Sequence, residues 1–301
     1  MLLCGCKKEQ ITNTKTISDT TYSITADCDD DTFNGAFSLC EEYERLFSPH
    51  LPDSDISMMN YFDIFEITDS TREILTKALY YCEKSGGKYD ITLTPVTKLW
   101  DFKEKKIPTA DELRIALADV GYDRIELIGN DIALHDTDID LTSIKNGFIT
   151  DKAVDYIKEK GVKSGIFSID GNVKVFGQSY NYEIKKPLSS HPLMTVKIKN
   201  TSAYTSSIYP QCFEKDGVLY HHILNSSTGM PTDNNLASVT VLGENATDCD
   251  ALSTVCMLLG EKEGLALINK TDGYEAVFVK TDSKVSVSNG LKIKGKKIVY
   301  K

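Results

Sequence analysis

The stretch Ser164-Gly165-Ile166-Phe167-Ser168-Ile169-Asp170-Gly171-Asn172-Val173-Lys174-Val175-Phe176-Gly177 decides the fold class. It holds two strand candidates, 164–169 and 172–177, with only a turn-forming Asp-Gly pair between them. Just upstream, residues 146–160 read as a helix stopped by Gly161, and downstream further strand candidates fall at 182–186 and 194–199. Helices and strands therefore mix without the strict alternation of a parallel βαβ sheet, and the reading is α+β.

Outward from this centre the same patterns recur. Thr21 to Ala26 alternates, with Tyr22, Ile24 and Ala26 on one face, as a first strand does. Residues 31–47 carry a helical apolar stripe, and 48–57, with two prolines, reads as a loop. Ser70-x-x-Glu73 and Thr109-x-x-Glu112 are capping boxes, the first opening a helix that ends at Gly86-Gly87 and the second one that runs to about Gly121. Strands are expected at 124–128, 131–135, 219–224 and 236–242, and helices from about 246 to 259 and from 261 to 269. Short β pieces close the chain at 275–280, 284–287, 291–294 and 297–300. The lysines there (Lys292, Lys294, Lys296, Lys297 and Lys301) read as protection of an edge strand.

Composition narrows the function. The chain has 301 residues, enough for one large domain or two lobes. Its 34 basic and 44 acidic residues leave a net charge of −10, which argues against nucleic acid as the main partner. The same balance would repel a phosphorylated ligand unless a cation or local amides intervene. No run approaches the roughly 18 apolar residues of a membrane-spanning helix. The eight cysteines show no C-x-x-C and no ligand-like pairing with histidine, so neither a disulfide framework nor a zinc site is expected.

The first residues, Met1-Leu2-Leu3-Cys4-Gly5-Cys6-Lys7-Lys8, resemble a bacterial lipobox with Cys6 as the lipidated residue. Residues 1–19 then divide from 20–301 as a lipobox remnant and polar tether. The expected location is the cell membrane, lipid-anchored on its extracytoplasmic face.

Four patches carry possible chemistry. Gly86 to Pro95, with the only tryptophan at Trp100, is either a helix C-cap before a buried strand or a ligand loop. Asp138 to Phe148 opens a helix with small polar residues that either cap it or leave amides free for an anion. Tyr220 to Pro231 contains His221 and His222, which on a strand point to opposite faces, so at most one serves a site. In Asp248 to Thr254, Asp250 and Thr254 share a helix face one turn apart and offer oxygen ligands suited to Mg²⁺; the alternative is an acid at a helix N-terminus with a packed threonine. The residues alone suggest a Mg²⁺-assisted site for a phosphorylated ligand.

These patches occur in the order of the ApbE family, the FAD:protein FMN transferases. Phe47-Ser48…Pro52-Asp53-Ser54-Asp55-Ile56-Ser57…Asn60 resembles the family's "fS.y…dSeis.lN", and Asp90-Ile91-Thr92…Pro95…Leu99-Trp100-Asp101-Phe102 resembles "FDiTv.Pl..lWgf". Asp140 to Asp151 is similar to "DLggiaKGya.D", Thr205-Ser206 to the "TSG" turn, His222-Ile223…Thr228-Gly229…Pro231 to "HiidP.TG.P", and Asp250 to Gly260 to "aDalaTalfvlG". The resemblance covers essentially the whole chain after the tether. The chain departs from the pattern at Thr142-Ser143 (two glycines in the family), Asn146 (commonly Lys, with Lys145 adjacent), Asn172, Ser207 and Asn225-Ser226.

The resemblance implies an ApbE-like, T-fold-like set of mixed sheets with packed helices in a single two-lobed unit. It implies cleavage of FAD with Mg²⁺, attachment of FMN by a phosphoester to a Thr or Ser of an exported acceptor protein, and release of AMP. Asp250 and Thr254 would bind the metal together with a backbone carbonyl near Lys145. Lys88, Tyr89, Asp90, Thr142, Phe148 and Ile223 would line the FAD site. His222 would assist removal of the acceptor's hydroxyl proton, with His221 as the uninvolved neighbour. Three alternatives stay open: an FAD-binding lipoprotein without transfer, a Mg²⁺-dependent FAD pyrophosphatase, and a lipoprotein that binds a non-flavin solute.

Overall fold

The structure, a computed structural model, describes residues 10–62 and 64–301, so Cys6 and the segment around it lie outside the described residues. The described chain opens with a hairpin of β1 (Ile11–Ile17) and β2 (Thr20–Ala26), paired antiparallel from Ile11↔Ala26 to Ile17↔Thr20. Residues 11–17, read above as tether, are thus a strand. Ile-Thr-Asn-Thr-Lys-Thr-Ile is polar because an edge strand faces water, yet its β-branched residues suit a pleated surface.

Helix α1 (Asp30–Leu46) follows, capped by Asp29, which accepts the Thr32 N–H at 2.8 Å. The expected loop, 48–57, gives way at its end to a short α2 (Asp55–Tyr61), capped by Ser54, before β3 (Ile64–Glu66) and α3 (Asp69–Lys84). The α3 cap is Thr68, whose hydroxyl takes the Thr71 N–H, rather than Ser70 two residues later. Then come α4 (Thr94–Thr97), α5 (Ala110–Ala116) with its Thr109–Glu112 capping box formed, β4 (Ile125–Ile128) and β5 (Asp131–Leu134). The second half holds α6 (Thr142–Glu159), β6 (Gly165–Ile169), β7 (Asn172–Lys185), β8 (Pro192–Ser207), β9 (Cys212–Lys215), β10 (Val218–His221) and β11 (Leu236–Gly243). It ends with α7 (Ala246–Ile268), β12 (Glu275–Lys280), β13 (Val285–Val287), β14 (Leu291–Lys294) and β15 (Lys297–Tyr300). The two helices expected at 246–259 and 261–269 run on as α7 across a kink at Gly260 (φ 78°).

The architecture is α+β. Ten strands form one sheet in the order β1-β2-β6-β7-β8-β11-β12-β13, with β15 parallel to the first half of β8 and β14 outside it. Successive residues of a strand face opposite sides, and the two cores show it. Tyr204, Val239, Val241 and Phe278 pack under α3, α6 and α7, whereas neighbouring Ala203, Leu242, Val277 and Val279 join a second core on the other face. That second core is covered by Tyr182 and Ile184 of β7, Val196 and Ile198 of β8, and Ile298 of β15. The long β7–β8 ribbon therefore bends, at a register shift after Val175. Gly177 sits in this bend at φ 66°, where a Cβ would lie 1.9 Å from the Lys163 carbonyl oxygen, and its N–H is held by Asn200 Oδ1 at 2.7 Å. A smaller core of Val96, Trp100, Leu113, Phe213 and Leu224 ties α4 and α5 to the β9–β10 hairpin.

Candidate functional site

A cleft of about 620 Å³ opens where the start of α6, the first turns of α7, the end of β8 and the smaller core meet. It gathers residues from all four sequence patches. Lys88, Tyr89, Asp90, Thr142, His222, Ile223, Asp250 and Thr254 line it, and Lys145 and Phe148 do not. Phe148 lies two residues past Asn146, about 200° round the helix, and packs edge-on to Phe47 and Tyr43 in the core. The Lys145 ammonium leaves the cleft for Glu44 Oε2, 2.6 Å away, and Glu44 in turn accepts the Tyr22 hydroxyl.

The cleft floor is the crossing of α6 and α7. A Cβ on Gly147 would lie 2.3 Å from the Ala246 carbonyl oxygen, so only glycine lets the two helices approach this closely. That approach lets the Gly147 N–H donate to Asp250 Oδ2 at 2.8 Å. Asp151, one turn further along α6, accepts the Ala246 and Thr247 N–H groups at 2.9 and 2.8 Å and the Thr247 hydroxyl at 2.7 Å, and is paired with Lys174. Asn245 takes the Asp248 N–H. Asp248 itself accepts Lys77, Tyr81 and Tyr274. The start of α7 is thus satisfied by protein groups.

Burial raises the Asp250 carboxyl to about 8, against the lowering effect of Gly147 and Lys145. One turn on, Thr254 Oγ1 lies 2.8 Å from Ser206 Oγ of β8, which also reaches Ser253 at 2.6 Å. Asn146 Oδ1 is buried at the cleft without a hydrogen-bond partner among the described residues.

At the entry to α6 the N-cap position, Leu141, makes no side-chain cap, and the residue before it holds the first turn. Asp140 Oδ1 accepts both the amide (2.7 Å) and the hydroxyl (2.5 Å) of Thr142, so a carboxylate already occupies that amide. Asp90 likewise braces its own loop through Thr92 and Tyr122, and burial raises its pKa. Tyr89 is buried and accepts the Ser143 hydroxyl at 2.8 Å. Among the described residues, Asp90, Asp140 and Asp250 face the cleft with one ammonium, Lys88, which is tied to Glu263 at 2.7 Å. Among the described residues no group of three or more His, Cys, Asp or Glu is placed to hold a metal. The donors at the floor are one carboxylate and neutral oxygens.

The two histidines differ: β10 ends at His221, and His222 lies just past it. His221 is buried; its Nε2–H donates to the Thr232 carbonyl and its Nδ1 accepts the Ile223 N–H, and burial lowers it to about 4. His222 lines the cleft, with Nδ1 3.3 Å from the Gln211 carbonyl. A carbonyl only accepts, so Nδ1 carries the proton and Nε2 keeps its lone pair. Burial lowers this pKa too, favouring the neutral ring.

The wall opposite the floor is aromatic. Trp100 and Phe102 line it, stacked at 5.6 Å, and are backed by Tyr220 and Phe213. Trp100 Nε1 donates to the Gly229 carbonyl at 3.0 Å. Of the floor residues, Ser143 and Asn146 fall in the second sequence patch, whereas Ser206 lies outside all four and is reached only through the resemblance. Ser206 meets Thr254 only through a sheet-to-helix contact spanning 48 residues, which no local pattern encodes.

Together these features define a class: an α+β protein with a ligand-sized cleft of buried carboxylate, clustered hydroxyls and neutral imidazole, without an internal Ser-His-Asp triad among the described residues. The chain belongs to the ApbE family, whose model matches residues 18–278. The FAD:protein FMN transferase of Treponema pallidum is 29% identical over 284 residues, covering 85% of this chain and 78% of that protein. That of Vibrio cholerae is 28% identical over 306 residues, covering 94% and 92%. The crystal structure of apo flavinyl transferase ApbE from Pseudomonas stutzeri superposes with a TM-score of 0.84 at 25% identity, over 93% of this chain and 95% of that one.

Proposed function

We propose that this chain is a Mg²⁺-dependent FAD:protein FMN transferase, held at the extracytoplasmic face of the cell membrane through lipid on Cys6. The observation that carries the catalytic reading is the Asp250 carboxylate fixed on the Gly147 N–H beside the Ser206–Thr254 hydroxyl pair, in an ApbE cleft whose Lys88 is already paired.

The oxygen-only donors fit a hard cation that keeps several ligands from substrate and water. Asp250, Thr254 and a backbone carbonyl near Lys145 would hold Mg²⁺, which supplies neutralisation of the FAD pyrophosphate and of the AMP leaving group. His222 Nε2 accepts the proton of the acceptor's Thr or Ser hydroxyl as its oxygen attacks the FMN phosphorus. The P–O bond to AMP breaks and a phosphoester to the acceptor forms. Trp100 and Phe102 offer flat apolar surface to a ring system and exclude water from that side.

The test is incubation with FAD, Mg²⁺ and a flavin-accepting domain, following AMP and protein-bound flavin together. Both should appear only with the acceptor present. AMP without acceptor would mean hydrolysis instead, and FAD retained with no AMP would mean a binding protein. Asp250→Ala should abolish Mg²⁺-dependent transfer while the far-UV circular dichroism stays that of the parent. Undiminished turnover would remove Asp250 from the site.

A further inference from the structure

The lysines of the C-terminal hairpin are not confined to an edge. The register places Lys294 opposite Lys297 and Lys292 opposite Val299, while Lys297 lies beside Thr195 of β8. Side chains alternate, so Lys197 and Lys199 share the outer face with Thr195, while Val196 and Ile198 point into the core. The outer face of this four-stranded layer thus carries five exposed lysines, Lys197, Lys199, Lys292, Lys294 and Lys297. Glu183, opposite Thr195, is the carboxylate that shares the face. None of the five lysines forms an ion pair among the described residues.

Lys197 and Lys199 sit on β8 opposite Asn181 and Ser179 of β7, just past the Thr195–Val196 pairing with β15. Lys294 and Lys297 are directly opposite, a like-charge pair that costs stability unless an external partner compensates. In a chain of net charge −10 this face is also a local reversal of sign.

The chain enters the described structure next to this layer. Gln10 Nε2 donates to the carbonyl and hydroxyl of Ser164 at 3.1 Å, and neighbouring Lys163 packs its carbonyl against Gly177, in the bend two residues before Ser179↔Lys199. Gln10 is four positions after Cys6, at most about 14 Å of chain. Lys7, Lys8 and Glu9 fall within that span.

We propose that the outer face of β8, β15 and β14 docks on an anionic lipid surface, with the five lysines meeting lipid headgroups beside the chain entry. Its link to Cys6 rests on the anchoring reading above, but the charge argument does not.

The experiment uses the full chain carrying Cys6→Ser, so that no lipid contributes, in flotation with phosphatidylcholine vesicles with and without about one third phosphatidylglycerol. Binding to the anionic vesicles alone is expected, reversed by about 0.5 M salt. A five-lysine-to-glutamine variant at 197, 199, 292, 294 and 297 should bind at least tenfold more weakly, given roughly a fivefold contribution per lysine at such a surface. Substituting the exposed Lys103, Lys105, Lys215, Lys262 and Lys270 instead changes net charge equally and should leave binding near the parent's. No binding by the parent, equal loss in both variants, or equal binding to neutral vesicles would each overturn the proposal. So would binding through this face to an acidic protein but not to vesicles. Metabolic lipid labelling of the parent against Cys6→Ser tests the anchor separately, so either reading can fail alone.

Discussion

The floor and the aromatic wall of the cleft are built in opposite ways. On the floor, α6 and α7 meet across about a hundred residues of sequence, braced by buried polar groups: Asp151 on the start of α7, Lys174 on Asp151, and Gly147 on Asp250. On the wall, Trp100 and Phe102 come from adjacent turns and pack on a four-residue-strand hairpin, with Trp100 Nε1 on the Gly229 carbonyl and Ser226 on the Gly87 carbonyl as the long-range polar ties. The floor is pre-organised, because each buried charge must keep its partner. The wall relies on non-directional apolar contact, which tolerates adjustment around a ligand. Preformed electrostatics sit where phosphate chemistry is proposed, and the adaptable surface sits where a ring system would lie.

The sharpest way to break this contrast is to remove a brace. Asp151→Ala should destabilise by about 3–5 kcal/mol, since it leaves Lys174 buried without its partner and two α7 amides unsatisfied. A loss under about 1 kcal/mol in urea unfolding would mean that the floor is not held this way. Next in size, His222→Ala should slow transfer at saturating FAD by roughly 10²–10⁴-fold, and His221→Ala should not. The reverse ranking would put the wrong face of the strand in the cleft.

His221 also predicts a pH dependence. Its folded pKa of about 4 lies below the ordinary 6.5, so as pH falls the unfolded chain takes up the proton first. Its contribution to stability is therefore full above pH 6.5 and is lost down to about pH 4, by roughly 3 kcal/mol at most. Melting temperatures measured across that range should fall with acid, and His221→Gln should flatten the slope. His222 acts with the same sign. The smallest effect expected is from Gly147→Ala: about 1–3 kcal/mol for forcing α6 and α7 apart, with transfer falling further than stability explains because Asp250 loses its amide. A variant with the parent's stability and activity would show that the close crossing is dispensable.

Much of this was legible beforehand. The capping box at Thr109, the stop at Gly161, the strand pair around Asp170-Gly171 and the break at Gly260 are local signals, and each is where the sequence places it. The strand 11–17 was hidden because its exposed face is polar, and α2 because it is two turns long and flanked by Ser and Pro. At the site, eight of the expected residues line the cleft. Phe148 does not, because helical phase turns it into the core; Lys145 does not, because Glu44, a hundred residues earlier, captures its ammonium.

By itself the sequence determined what depends on neighbours in the chain: the order of helices and strands, their caps and turns, the net charge, the pairing of Asp250 with Thr254 on one helix face, and, through its ordered motifs, the family. Only the tertiary structure decided what depends on distant neighbours: that Ser206 meets Thr254, that Asp151 closes the start of α7, that Lys145 is spent on Glu44, and that lysines from two separate segments make one face. The reason is physical. Backbone propensity and side-chain period act over a few residues, whereas burial sets the strength and charge state of a polar group only once the partners that share its low-dielectric surroundings are in place.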